Sequence, residues 1–307
     1  MGLNIDQLNS ITRNKIVPML YDNIFESNPL LKRMLASGQY RSVSGGTYID
    51  IPLNYAQSTS AGWYNGAATL ATADNENLTA ARYSWCNLYA AITVSKEDIN
   101  KNGGDEGVVK LLTAKAQIAE STLKDLLGTG LYSDGTDAQS IQGLDDIIAI
   151  NQTVGGISQS TYSWWRGQLD SATTTLTLSA MNSVYESSTV GTDRPSVITT
   201  TRANYNRYYN LLQPQQRFYD SDSAKGGFSS LMFNSAPVLV DTHATTAGMY
   251  FINEKELWLF YHPSENFSFD DYDSPVNQRV MTGRVNWMGA LGSSNNRKHG
   301  RLSAITA

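Results

Sequence analysis

The sequence predicts an α+β protein built around one extended β-ribbon and one long helix, and three observations predict it. Strand-like segments at Gly45–Tyr55 and Ala81–Ser95 flank a long run of small and polar residues. Residues 105–130 then carry a helical apolar period, unbroken for about 22 residues or roughly 33 Å. From 131 to 275, short helical and extended patterns alternate with turns, as in a compact mixed domain.

Each element has its own justification. Residues 4–35 read as two helical pieces broken at Pro18, with Ile5, Leu8, Ile11 and Ile16 on one and Tyr21, Ile24, Phe25, Leu30, Leu31 and Leu35 on the other. So much apolar surface at the start of the sequence is expected to dock on its own body or lie across a neighbour. "GGTYIDIPLNY" is the first ribbon strand and "ARYSWCNLYAAITVS" the second. The stretch between them has only Trp63, Tyr64 and Leu70 as large anchors. An isolated two-stranded ribbon is marginal in water, so another subunit is expected to cover this one.

In the helix, Val108, Leu112, Ala116, Ala119, Leu123 and Leu127 form one face. Asp105 and Glu106 suit its N-terminal dipole, and Gly128 reads as its stop. Further on, "TLTLSAMNSVYES" and "RANYNRYYNLL" read as helices, while "SVITTT", "APVLVD" and "MYFINEKELWLFYH" read as strands. The tail "QRVMTGRVNWMGALGSS" reads as a strand that returns to pair with the ribbon strands.

Composition narrows the function class. Of 307 residues, 41% are apolar and 17% charged, which is a folded composition with much neutral polar surface. The net charge of −5 gives no overall nucleic-acid signal. Arg279, Arg284, Arg297, Lys298 and Arg301 fall in an acid-free tail that follows the acidic run Glu265, Asp270, Asp271 and Asp273. Such neighbouring patches are either solvated or complementary between copies of the chain. A single cysteine, Cys86, gives no disulfide framework, and no secretion signal or membrane-spanning run is expected.

Catalytic patterns are missing. His243, His262 and His299 have no short-spaced ligand partner and read as surface or capping residues. There is no G-x-S-x-G elbow and no phosphate-gripping Gly-Lys-Ser/Thr. "FDDYDSP" lacks the glycine and closing glutamate of a calcium loop. No catalytic, cofactor or metal residue is therefore assigned, and an enzyme is not expected.

"GGISQSTYSWWRG" places Trp164 and Trp165 beside Arg166. Read as strand neighbours, the two rings face opposite sides and need two different covers. Core packing, a subunit contact and a ligand platform all remain open for them.

The order of parts resembles the Hong Kong 97-type coat fold of tailed-bacteriophage major capsid proteins. The stretch "GLDDIIAINQTVGGISQSTYSWWRGQ" and the ending "NWMGALGSSNNRKHGRL" are similar to segments that recur in that family. The resemblance implies an N-arm at 1–44, an E-loop ribbon with base strands at 45–95 and a P-domain spine helix at 96–130. An A-domain would follow at 131–275, and 276–307 would complete the P-domain. The implied function is a non-enzymatic coat protein, forming pentamers and hexamers of an icosahedral shell around double-stranded DNA held without sequence-specific binding.

The implied location is the virion, assembled in the host bacterial cytoplasm. A separate scaffolding protein is expected, since no cleaved scaffolding segment precedes the arm, together with a portal and a decoration protein. No lysine lies between Lys32 and Lys96, so covalent crosslinking through the E-loop is not expected. Trp63 and Tyr64 would anchor the ribbon on a neighbour, while Ile11, Ile16, Phe25 and Leu31 would bury the arm on a further one. Trp164, Trp165 and Arg166 complete the candidate contacts. Two alternatives stand beside this: an encapsulin-like nanocompartment shell, and a carbohydrate-binding phage surface or decoration protein using Trp164 and Trp165.

Overall fold

The computed structural model describes residues 28–73, 76–97, 105–212, 231–274 and 278–306, and of 105–110 the backbone alone. The candidate arm residues Ile11, Ile16 and Phe25 lie outside the described residues.

Helix α1 (Pro29–Ala36) starts where Asn28 caps the free N–H groups of Leu30 and Leu31 at 3.0 and 3.2 Å. Leu30, Leu31 and Met34 bury its inner face, and Arg33 forms a two-pronged pair with Glu254 at 2.7 Å on both prongs. This corrects the expectation for Leu31. It packs into the core of its own chain, so its side chain is not available to a neighbour.

Four strands form the first sheet in the order β1 (Tyr40–Ser42), β12 (Leu257–Asp273), β13 (Val280–Ser293), β4 (Cys86–Ser95). The expected return of the tail is present: β13 pairs antiparallel with β4 from Val280↔Ser95 to Gly289↔Cys86. The ribbon proper is β2 (Tyr48–Asn54) against β3 (Leu78–Ser84). The second ribbon strand expected at 81–95 is therefore two strands. Buried positions switch from odd (Ala81, Tyr83) to even (Ala90, Ile92, Val94) across Trp85, and one continuous strand cannot hold both phases on one face.

Helix α2 (Asp105–Leu131) has 27 residues, about 40 Å, and lies against β4. Leu112, Ala116, Ala119, Leu123 and Leu127 are buried on the expected face. The helix runs through Gly128 instead of stopping there. A Cβ on Gly128 would sit 2.6 Å from the His243 ring, so that glycine serves a close approach and not a cap.

The second sheet has the order β7 (Gln168–Asp170), β14 (Gly300–Leu302), β11 (Met249–Ile252), β8 (Val197–Thr200), β10 (Ala236–Val240), β9 (Leu231–Phe233). The segment read as one strand from Met249 onward is β11 and β12, separated by a 3-10 turn at Glu254–Glu256 that carries the chain from one sheet to the other. Short helix α3 (Leu144–Ile147) precedes the small hairpin β5 (Thr153–Val154) and β6 (Ile157–Ser158). Helices α4 (Leu178–Ser187) and α5 (Arg202–Leu212) cover the second sheet with Met181, Val184, Tyr185 and Tyr208. The Tyr185 and Tyr208 hydroxyls donate to the carbonyls of Asn234 and Met232, which makes their burial affordable.

Candidate assembly interface

The ribbon divides into a base packed on its own chain and an exposed tip, whose root is closed by the Ser60 hydroxyl donating to the Ala73 carbonyl at 2.5 Å. At the base, Ile49, Ile51 and Leu53 alternate inward and are buried. The Tyr83 hydroxyl accepts from the Ser293 N–H at 3.1 Å and donates to its carbonyl at 3.0 Å, a clamp onto β13. The Arg82 N–H donates to the Gly155 carbonyl at 2.8 Å. Gly155 has φ +57°, and a Cβ there would lie 2.8 Å from the Ala81 methyl, so only glycine lets the β5–β6 turn approach β3. The expectation that a second subunit must cover the whole ribbon is thus corrected for its base.

The tip differs. From Ala61 to Ala73 every residue is exposed and none is in a strand. Trp63 is fully exposed, with Tyr64 and Leu70 more than half exposed. A fully exposed tryptophan next to an exposed tyrosine is costly surface for a lone chain and typical of the centre of a protein contact.

The second tryptophan site is largely internal. Trp164 and Trp165 sit on a 3-10 turn, Ser163–Trp165, and not on a strand. Trp165 is 1% exposed and its Nε1–H donates to the Val154 carbonyl at 3.0 Å. Trp164 stacks on Tyr55 at the end of β2, centroids 5.3 Å apart at 21°. Arg166 donates from Nε and Nη2 to the Gln159 and Ser160 carbonyls at 2.6 and 2.7 Å. Burial makes Trp165 a core residue and removes it from the candidate contacts, whereas Trp164 lies partly exposed against the ribbon base and Arg166, also partly exposed, straps its own loop. Buried Gln159, which sequence reasoning missed, holds the same loop by donating to the Ile147 carbonyl and accepting from the Gln152 N–H.

A second exposed apolar feature also escaped the sequence reading. Along β4, a cleft of about 570 Å³ is lined by Tyr89–Thr93 and by Lys115, Ile118, Thr122 and Leu126 of α2. Tyr89, Ile118 and Leu126 are exposed. The signal was present in the helix: Ile118, Thr122 and Leu126 repeat at four-residue spacing beside the buried face.

Two of the tail cations, Lys298 and Arg301, form ion pairs within the chain. Asp270 lies opposite Arg284 in the β12–β13 register. Lys298 bonds Asp193 and Glu256 at 2.8 and 2.5 Å, and Arg301 bonds Asp145 at 2.8 Å. His299 is completely buried, not at the surface. Its Nδ1 accepts from the Asn253 N–H, Nε2 meets the Ser293 hydroxyl, and burial pulls its pKa down to about 4. His243 lies between Asp241 and Asp125, at 3.3 and 3.4 Å. Buried Asp146 has its pKa pushed up to about 6 by desolvation, with repulsion from Asp134 adding to it. Among the described residues, no group of three or more His, Cys, Asp or Glu is placed to hold a metal, and no helix is long and apolar enough to cross a membrane.

No family model and no curated protein sequence matches the chain. Solved structures do. The chain superposes on a chain of the cyanophage A-1(L) capsid asymmetric unit with TM-score 0.65 and 19% identity, covering 90% of this chain and 93% of that one. A chain of the capsid of the native GTA particle gives TM-score 0.61 at 11% identity, covering 88% and 89%. The SrpI encapsulin complex from Synechococcus elongatus gives TM-score 0.57 at 10% identity, covering 89% and 87%. At these identities the likeness is one of fold, and it is nearly end to end. The fold is the Hong Kong 97-type coat architecture that the order of parts in the sequence resembles.

Proposed function

We propose that this chain is a major coat protein that self-assembles into an icosahedral shell enclosing double-stranded phage DNA. The observation that carries the reading is the near-complete superposition on capsid chains, 90% of this chain on 93% of the cyanophage one. The exposed Trp63 and Tyr64 on a ribbon with a self-supported base supply the means of contact. Each contact between copies is small, and closed symmetry multiplies it.

In this reading residues 1–44 are the arm and α2 the spine, while the E-loop expected at 45–95 narrows to 45–84, because Cys86–Ser95 is a strand of the four-stranded sheet. The four-stranded sheet is the P-domain and the six-stranded sheet the A-domain around the local symmetry axes. Assembly takes place in the host bacterial cytoplasm, with a separate scaffolding protein, a portal and a decoration protein as further partners. The chain acts as a structural component and not as an enzyme. Its net charge of −5 suits a lining that does not grip the packaged phosphates.

One alternative has an observation in its favour: the encapsulin match is as extensive as the phage ones, which supports a shell that stores protein cargo. The sugar-platform alternative loses its geometry, because Trp165 is buried and Trp164 lies against Tyr55. Sedimentation velocity of the expressed chain, followed by nuclease-protection analysis of the fast-sedimenting fraction, tests the proposal. Particles that protect DNA when made with the full set of phage components support it. Particles that always carry protein cargo favour the nanocompartment, and the absence of any large species overturns both.

A further inference from the structure

We propose that Asn65 deamidates spontaneously on the free chain, and that the aspartate so formed withdraws the ribbon tip from assembly. The first half stands on the chemistry of the tip alone, and the second rests on the shell reading.

The reaction needs an asparagine followed by a residue whose backbone nitrogen can reach the side-chain amide. Asn65–Gly66 is the one Asn–Gly pair among the described residues, and the other pair, Asn102–Gly103, lies outside them. Glycine has no Cβ to shield its nitrogen or to restrict the rotation that brings it onto the amide carbon. The setting is as permissive as the pair. Asn65 and Gly66 are exposed and lie outside any strand or helix, and a Cβ on Gly66 would meet nothing within 4 Å. A single turn bond, from the Ala68 N–H to the Asn65 carbonyl at 3.2 Å, spans the pair. Among the described residues, neither the Gly66 N–H nor the Asn65 side-chain amide has a hydrogen-bond partner.

Asn234 shows what withholds the reaction elsewhere. It also sits in a turn, with φ +46°, yet Ser235 follows it and its Nδ2 donates to the Asn182 side chain at 3.0 Å. Asn54 and Asn87 lie in strands and precede the bulky Tyr55 and Leu88.

The step balances with water as its co-reactant. Hydroxide takes the Gly66 amide proton, the nitrogen attacks Cγ of Asn65, and the Cγ–Nδ2 bond breaks to release ammonia. Water then opens the cyclic imide at either carbonyl and leaves aspartate or isoaspartate. Isoaspartate also routes the main chain through the side chain, which reshapes the turn.

The consequence follows from charge. Residues 51–73 contain no charged side chain. A carboxylate at position 65 is the first charge on the exposed tip, beside Trp63 and Tyr64. Burying an unpaired carboxylate in a contact is costly, so the altered tip loses its partner. Cover by a neighbour holds the Gly66 backbone and excludes water, so assembled chains keep their asparagine. The tip thus carries a clock that removes chains left too long unassembled.

Peptide mass spectrometry tests the chemistry. The purified chain is held dilute and unassembled in warm buffers of rising pH, then cut with trypsin. The tip is released as Ser42–Arg82, because no lysine or arginine lies between. Aspartate and isoaspartate are expected at position 65 before Asn54 or Asn77 of the same peptide reacts. The rate should rise in proportion to hydroxide, and the product should be largely lost in Gly66→Ala. An Asn65 that stays intact, or that reacts no faster than those two or equally in Gly66→Ala, overturns the proposal.

Assembly tests the consequence. Asn65→Asp is expected to need about tenfold more protein to form particles than Asn65→Gln, with the same monomer melting for both. Glutamine is the neutral reference, since its longer side chain closes a less favourable ring. Equal assembly of the two overturns the clock and leaves the modification standing. Wild-type particles are expected to keep Asn65 while the unassembled pool of the same preparation loses it, and equal conversion in both overturns the protection. If neither the wild type nor Asn65→Gln forms particles, the shell reading and the clock fall together, and the mass spectra still decide the modification.

Discussion

Two pairs of neighbouring aromatic residues have opposite fates in this molecule. Trp164 and Trp165 sit where a glycine turn, a carbonyl and the ribbon base converge on them, and one chain covers them. Trp63 and Tyr64 sit on a tip where the surrounding residues are too small to cover anything. The same side-chain chemistry therefore stabilises the fold in one place and stays exposed in the other. What decides is not the aromatic residue but whether its own chain brings a cover.

The largest effect that would break this comparison is on the covered pair. Trp165→Ala should destabilise the monomer by about 3–5 kcal/mol, since it empties a packed site and orphans the Val154 carbonyl. Urea unfolding measures it, and a loss below about 1 kcal/mol would show that Trp165 is not core.

Acid acts on the same covered side. The folded pKa of His299 is lowered to about 4, so its contribution is present above the unfolded value near 6.5. It is lost as pH falls from there through 4, about 3 kcal/mol in total. Asp146 has the reverse sign: its pKa, raised to about 6, gives stability that is present below 3.8 and lost as pH rises through 6. Asp146→Asn should therefore steepen the acid loss between pH 6 and 4, and His299→Gln should flatten it. Urea midpoints across that range decide, and an unchanged slope in both variants contradicts the assignment.

The exposed pair should behave in the opposite manner. Trp63→Ala should leave the monomer's unfolding within about 0.5 kcal/mol of wild type. Assembly should need roughly 30-fold more protein, the equivalent of about 2 kcal/mol per contact. Light scattering against concentration reads this, and equal losses of folding and assembly would erase the distinction between the regions. The smallest effect belongs to Trp164→Ala, which removes one stacked partner of Tyr55. A cost of about 1 kcal/mol in folding is expected, with assembly changed only in proportion.

Much of the architecture was legible because it depends on local periodicity. The buried stripe from Leu112 to Leu127 and the inward alternation of Ile49, Ile51 and Leu53 both match their sequence patterns. The sheet change at Trp85 was harder, because β-propensity continues through it, whereas the β-poor run Asn253, Glu254, Lys255, Glu256 did mark the break between β11 and β12. At Trp85 the phase shift in the apolar alternation was nevertheless there to be read. Gly128 misled because a glycine needed for close approach to His243 looks the same in sequence as a helix stop.

For the candidate contacts, the exposure of Trp63 and Tyr64 could be read from their small-residue surroundings. The burial of Trp165 and Leu31 was not legible, because what covers them comes from segments distant in sequence or from carbonyls that no sequence displays. The β4 cleft was invisible for a related reason. An open strand edge is a property of sheet order, and sheet order depends on which distant segments pair.

The central claim is that the exposed tip is covered by other copies of the same chain. Negative-stain electron microscopy of the purified protein over a concentration series, with a scaffolding partner supplied in a parallel series, tests it most directly. The account predicts shells, tubes or capsomer rings. A monodisperse monomer at every concentration in both series would contradict it.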